Sequence, residues 1–137
     1  KGRVLIGKKK RERLGEPFAI SIGPRGCLEA YPDDVWRRKV SEMLQHDTSN
    51  LGRDLYTRLI MGSSDDDLRF DAQGRVVVPQ KLREAAGLTD RVVLVGCGDR
   101  LEIWAKAEHD KFIADPINYR REQWETIASA RAQMVGE

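Results

Sequence analysis

Apolar and polar positions change their spacing several times along the chain, and each change marks an element. Arg75-Val-Val-Val78 is a β-branched run. It follows Asp71-Ala-Gln-Gly74, which has turn composition, and Leu68 to Phe70 alternate before that turn, so the pair predicts a hairpin. Gly74 is expected to supply a positive φ there, and the Asp71 carboxylate to accept from turn amides. Pro79 ends the strand and suits the first turn of a short helix, Gln80 to Ala86, which Gly87 stops. Arg91 to Val95 and Arg100 to Trp104 flank Gly96-Cys-Gly-Asp99 and predict a second hairpin. Pro32-Asp-Asp opens a helix with carboxylates at its N-terminus, and Val35, Trp36, Val40, Met43 and Leu44 form its apolar stripe. In the next helix Leu51, Leu55 and Leu59 recur every fourth residue, flanked by Tyr56 and Ile60. A helical region follows Trp104, breaks at Pro116 and resumes through Trp124, Ile127 and Ala128. These stripes read as core or as subunit contacts, and the pattern does not choose between them.

The elements occur twice. Laying residue 1 on residue 73 matches Gly2 with Gly74, Arg3 with Arg75 and Val4 with Val76. The same offset matches Lys9 with Lys81, Arg11 with Arg83, Glu12 with Glu84 and Gly15 with Gly87. After one inserted residue Ile20, Ile22 and Gly23 fall on Val93, Val95 and Gly96, and LEAY (28–31) falls on LEIW (101–104). This is an internal duplication. It divides the chain into 1–62, a first copy with its following helices, and 63–137, a second copy with C-terminal helices. Each copy has too little apolar surface to close a core alone, so the two are expected to interleave about a pseudo-two-fold axis.

Composition narrows the function classes. With 40% apolar and 34% charged residues the chain is globular rather than disordered. No apolar run is long enough to span a membrane and no secretory h-region is visible, which makes a cytoplasmic protein the expectation. Cys27 and Cys97 form no CxxC pair and read as small buried hydrophobes, and no local spacing announces a metal site. Net charge is only +2, but its distribution is uneven. Lys1, Arg3, Lys8, Lys9, Lys10, Arg11 and Arg13 stand against Glu12 alone, whereas Asp65, Asp66, Asp67 and Asp71 face only Arg69. A Gly-Arg turn presents a guanidinium and backbone N–H groups, which suits phosphate or the O6/N7 edge of guanine. One such tip alone reads as a solvated hairpin. Two tips beside the matched cations Lys9/Lys81 and Arg11/Arg83 point to function.

The phrase DAQGRVVVPQKLREAAGL, followed by RVVLVGCGDRLEIW, resembles the second half of the MraZ family. YPDDVWRRKVSEMLQ and GRDLYTRLIMGSSDDDLRFD resemble that family's linking helices and the approach to its second motif. The resemblance implies an α+β fold with a mostly β core: a duplicated AbrB-like swapped-hairpin barrel with pseudo-two-fold symmetry and flanking helices. It also implies a ring-shaped homo-oligomer and a cytoplasmic, nucleoid-associated transcription regulator. Such a regulator would bind double-stranded DNA at promoter repeats near division and cell-wall genes. Carried over by position, the DNA contacts fall on Arg3 and Arg75, with Lys1, Gly2, Gln73 and Gly74 shaping the tips and Asp71 orienting the second turn. No cofactor, metal or membrane is implied. The first copy departs from the pattern: it is expected to lack its first strand and the aspartate before Lys1-Gly2-Arg3. Gly7 stands where the second copy has Pro79, and Lys10 where it has Leu82.

An enzyme is the first rival, since Asp65-Asp-Asp67 and Glu102 could be drawn as an acid–base or metal site. Adjacent residues on a strand point to alternating faces, and no phosphate loop or nucleophile motif is present, so catalysis is not expected. The second rival is a ring-forming interaction protein whose basic tips bind an acidic protein partner. RNA binding is a weaker choice, because aromatics make up 7% and none adjoins the Gly-Arg tips.

Overall fold

A computed structural model describes residues 2–136. The chain opens with strand β1 (Arg3–Leu5), helix α1 (Lys8–Leu14), and strands β2 (Phe18–Ile22) and β3 (Leu28–Pro32). Helices α2 (Asp33–Leu44) and α3 (Leu51–Ile60) follow, and α3 starts on an Asn50 side chain that accepts from the Arg53 amide at 3.0 Å. The second half repeats the order: β4 (Asp65–Leu68), β5 (Arg75–Val77), α4 (Gln80–Ala86), β6 (Val92–Gly96), β7 (Leu101–Ala105), α5 (Lys106–Ala114) and α6 (Arg121–Val135).

The strands form two antiparallel sheets, a ribbon of β1 with β5 and a five-stranded sheet in the order β4-β2-β3-β7-β6. Neither closes into a barrel, and more residues lie in helices than in strands. The expected barrel with a mostly β core is thus corrected to a mixed α/β fold. Its five-stranded sheet is covered on both faces. On one side Phe18, Ile20, Leu28 and Ile103 pack against Val4, Ile6, Val76 and Val78 of the ribbon region and Leu82 of α4. On the other, Ala19 and Tyr31 meet Trp36, Met43, Tyr56, Ile60, Ile127 and Met134 from the helices. Double coverage explains why all five residues of β2 are buried although side chains alternate along a strand.

The hairpin expected from Leu68–Phe70 and Arg75–Val78 does not form as a ladder. β4 joins β2, pairing Phe18 with Leu68, while β5 joins β1. Phe70 is drawn toward β2: its ring stacks on Phe18 at 4.8 Å between centroids, and its amide donates to Glu16 Oε2 at 2.7 Å. Burying two aromatic faces there outweighs a short ladder with β5. The expected second hairpin does form, from β6 and β7.

The ribbon is centred on a pair of residues that stand 72 apart in the sequence. Val4 pairs with Val76 at its centre, Arg3 with Val77 and Leu5 with Arg75. The Ile6 amide donates to the Gly74 carbonyl at 3.1 Å, and the Val78 amide to the Gly2 carbonyl at 2.7 Å. Each bond is the counterpart of the other.

Of the period-four leucines of α3 only Leu59 packs against the core; Leu51 and Leu55 do not. Leu51 is 72% exposed and Leu55 41%, whereas Gly52, Tyr56 and Ile60 are buried. The cause is α6. A Cβ at Gly52 would stand 2.8 Å from the Ala130 carbonyl oxygen, so only glycine lets the two backbones meet this closely. Asn50 Nδ2 also donates to the Met134 carbonyl at 2.9 Å, which ties the end of α6 to the start of α3.

Candidate nucleic-acid interface

Alternation along the ribbon separates two faces. Val4 and Val76 point into the core at 6% and 1% exposure, while Arg3, Leu5 and Val77 are exposed and Arg75 is half-buried. Directly opposed residues of an antiparallel pair share a face. The outer face is therefore a small checkerboard, Arg3 opposite Val77 and Leu5 opposite Arg75.

One arginine of the checkerboard is held in place. The Asp71 amide donates to the Arg75 carbonyl at 2.8 Å and the Gly74 amide to the Asp71 carbonyl at 3.0 Å, closing the turn. Asp71 Oδ1 accepts from the amides of Gln73 and Arg75, each at 2.9 Å, and Oδ2 accepts from Arg75 Nε at 2.9 Å. These donors, the Arg75 amide foremost, hold the Asp71 carboxyl below the usual carboxylate range. Arg75 Nη2 donates to Gln73 Oε1 at 3.1 Å, and Nη1 makes no hydrogen bond among the described residues. The guanidinium is thus pre-aimed with donors left over. Arg3 has no hydrogen-bond partner for its side chain among the described residues. Lys1 lies outside the described residues.

Gly2 and Gly74 carry φ of 74° and 79°, so both Gly-Arg tips use the left-handed turn conformation. Over each lies an arginine from the opposite copy. A Cβ at Gly74 would sit 2.7 Å from Arg11 Cζ, and one at Gly2 would sit 2.8 Å from Arg83 Cζ. Arg11 Nη1 donates to the Ile6 carbonyl at 2.5 Å, and Arg83 Nε to the Val78 carbonyl at 3.0 Å. These two arginines, read from the sequence as further contact cations, pack over the opposite copy's glycine and bond a carbonyl of their own copy. The signal that could have shown this was the repeat itself, since each matched arginine lies nine residues after a matched glycine. Lys8, Lys9 and Lys10 remain exposed on α1, and Lys8 lines the cleft beside the Asp71–Gly74 turn.

The carboxylates of the enzyme reading are not brought together. Asp65 to Asp67 lie on β4 and Glu102 on β7, three strands away or about 14 Å at ordinary strand spacing. Glu102 accepts from Trp104 Nε1 at 3.0 Å. Buried Glu29 accepts from Arg100 Nε at 3.0 Å and from the Tyr31 hydroxyl. Burial and then the Glu29 charge push the Tyr31 phenol far above its usual range. Among the described residues no group of three or more metal-ligating side chains is assembled, and no helix is long and apolar enough to cross a membrane. Cys27 is buried as expected, but Cys97 is only half-buried.

Comparison with known proteins gives the family. The family model described as "MraZ protein, putative antitoxin-like" matches residues 61–126. "Transcriptional regulator MraZ" of Lachnoclostridium phytofermentans is 36% identical over 106 residues, covering 77% of this chain and 74% of that protein. The protein of the same name from Alkaliphilus oremlandii is 37% identical over 115 residues, 84% of this chain and 80% of that one. That of Clostridium beijerinckii is 33% identical over 119 residues, 87% and 83%. The chain belongs to the MraZ family.

Proposed function

We propose that this protein is a sequence-specific, DNA-binding transcriptional regulator that lays the outer face of the β1–β5 ribbon against duplex DNA. The reading rests above all on the Asp71 clamp, which holds Arg75 outward with free donors. A two-stranded ribbon fits the major groove, and an arginine fork matches O6 and N7 of guanine. Pre-orientation lowers the ordering cost of binding. Arg3 and Arg75 make the base contacts; Lys1, Gly2, Gln73 and Gly74 shape the tips, and Asp71 orients the second. The names of the relatives agree with a regulator.

On the same reading the chain is two AbrB-like swapped-hairpin copies, 1–62 and 63–137, related by a pseudo-two-fold axis at the Val4–Val76 pair. One ribbon neutralises few phosphates, so its binding alone is weak and salt-sensitive. A homo-oligomeric ring facing promoter repeats near division and cell-wall genes gains about 10²- to 10⁴-fold by effective concentration. Exposed Leu51 and Leu55 of α3 are the candidate subunit contacts. The expected location is the cytoplasm, on the nucleoid.

The test is fluorescence anisotropy on DNA from just upstream of the protein's own gene, against scrambled DNA, across a salt series. Arg75→Ala should weaken selective binding by about 5- to 150-fold, the 1–3 kcal/mol of a bidentate base contact. Equal binding to both DNAs, with Arg75→Ala unchanged, would leave a ring-forming protein whose basic tips meet an acidic protein partner.

A further inference from the structure

We propose that Leu5 and Val77 read the 5-methyl groups of thymines beside the guanines taken by the two arginines. The inference rests on the DNA-binding reading of the ribbon.

The observation is a pair of aliphatic side chains where a soluble strand normally places polar ones. In the ribbon region Val4, Ile6, Val76 and Val78 are buried, between 0% and 6% exposed. Leu5 and Val77 are 61% and 58% exposed, and they are the counterparts of one another in the two copies. A single exposed aliphatic residue needs no explanation. Two at matched positions, each directly opposite an arginine and on its face, form one patch.

The chemistry of base edges fits that patch. In the major groove guanine presents two acceptors and thymine an acceptor beside a methyl group, the one apolar feature there. Opposed side chains stand about 4.5–5.5 Å apart and diagonal ones about 7–8 Å. With about 3.4 Å between successive base pairs, an aliphatic side chain opposite an arginine reaches the neighbouring pair, and the two arginines lie about two pairs apart. The checkerboard therefore specifies guanine and thymine in adjacent positions, twice, with the arginines giving orientation and the aliphatic side chains rejecting cytosine next to each guanine.

The test uses full-length protein and a duplex it selects from a random pool. Each thymine of the selected site is replaced in turn by deoxyuridine, which removes only the methyl group. Affinity is read by anisotropy for wild type, Leu5→Ala, Val77→Ala and Val77→Thr, with sedimentation to record the oligomeric state. For two thymines the wild type should lose about fourfold per methyl, from about 0.8 kcal/mol per buried methyl at 1.4 kcal/mol per tenfold. Leu5→Ala should erase one of those sensitivities and Val77→Ala the other. Val77→Thr keeps strand propensity and one methyl group, so it should retain part of the sensitivity that Val77→Ala loses. Uracil substitution without effect on wild type, while Arg75→Ala still weakens selective binding, would overturn this inference alone. So would a uracil sensitivity that survives in all three variants, or a changed oligomeric state in Leu5→Ala, which would make the patch a subunit contact. If the pool yields no preferred site, the DNA reading fails along with it.

Discussion

Replacing Gly74 with alanine isolates the packing of Arg11 over the Gly74 turn. Two costs are expected. The residue has φ of 79°, where an L side chain costs about 1–2 kcal/mol. The new Cβ would also stand 2.7 Å from Arg11 Cζ and force that guanidinium away. Arg11 would then lose its hydrogen bond to the Ile6 carbonyl, a charged donor worth about 1.5–3 kcal/mol. The total is about 3–5 kcal/mol. Gly98 supplies the control: its φ is 80° and a Cβ there meets nothing within 4 Å, so Gly98→Ala should cost only the backbone part. The assay is urea unfolding followed by circular dichroism, at one protein concentration because association shifts apparent stability. With a slope of about 2 kcal/mol per molar, the two midpoints should differ by about 1 M. In an Arg11→Ala background the extra cost of Gly74→Ala should vanish. Gly2→Ala with Arg83→Ala should repeat the pattern, since Arg83 Cζ lies 2.8 Å from the Cβ position and Nε bonds the Val78 carbonyl at 3.0 Å. Equal midpoints for Gly74→Ala and Gly98→Ala, or an unchanged cost without Arg11, would refute the packing of Arg11 over Gly74 as the source of the extra cost.

Three further outcomes are expected. Leu82→Ala should cost about 2–5 kcal/mol because Leu82 is fully buried, while Lys10→Ala at the matching position should stay within about 0.5 kcal/mol, both read from unfolding midpoints. Burial and a hydrogen bond to Glu108 push the Tyr119 phenol from its ordinary value near 10.0 up to about 12. The fold favours its protonated form, so that stabilisation is complete below pH 10 and is lost as pH rises through 12, which absorbance at 295 nm of wild type against Tyr119→Phe will show. Burial, reinforced by Glu102 and Glu29, raises the Cys27 thiol, so a thiol reagent should modify Cys97 in the native protein and Cys27 only on unfolding, checked by peptide mapping.

Much of the local structure was determined by the sequence alone. The span of α4, the β6–β7 hairpin, the Asp71–Gly74 turn and the repeat follow from proline, glycine, aspartate and alternating apolar residues, whose effects act within a few positions. That Arg75 would stand at a turn beside Asp71 was likewise readable. Tertiary structure alone decided the partners. β5 pairs with β1 from the other copy and β4 with β2, because the choice depends on which surfaces can be buried together, here Phe70 on Phe18 and Val76 beside Val4. The same holds for α3, where the leucine stripe is the stronger pattern in sequence but Gly52 faces α6, since close backbone approach is worth more than leucine spacing. Arg11 and Arg83 look like surface cations in the chain, and only the fold shows each lying over the opposite copy's glycine while bonding a carbonyl of its own copy. Local signals set where each element begins and ends. Contacts between distant residues set which face turns inward, and so which arginines are left to meet a ligand.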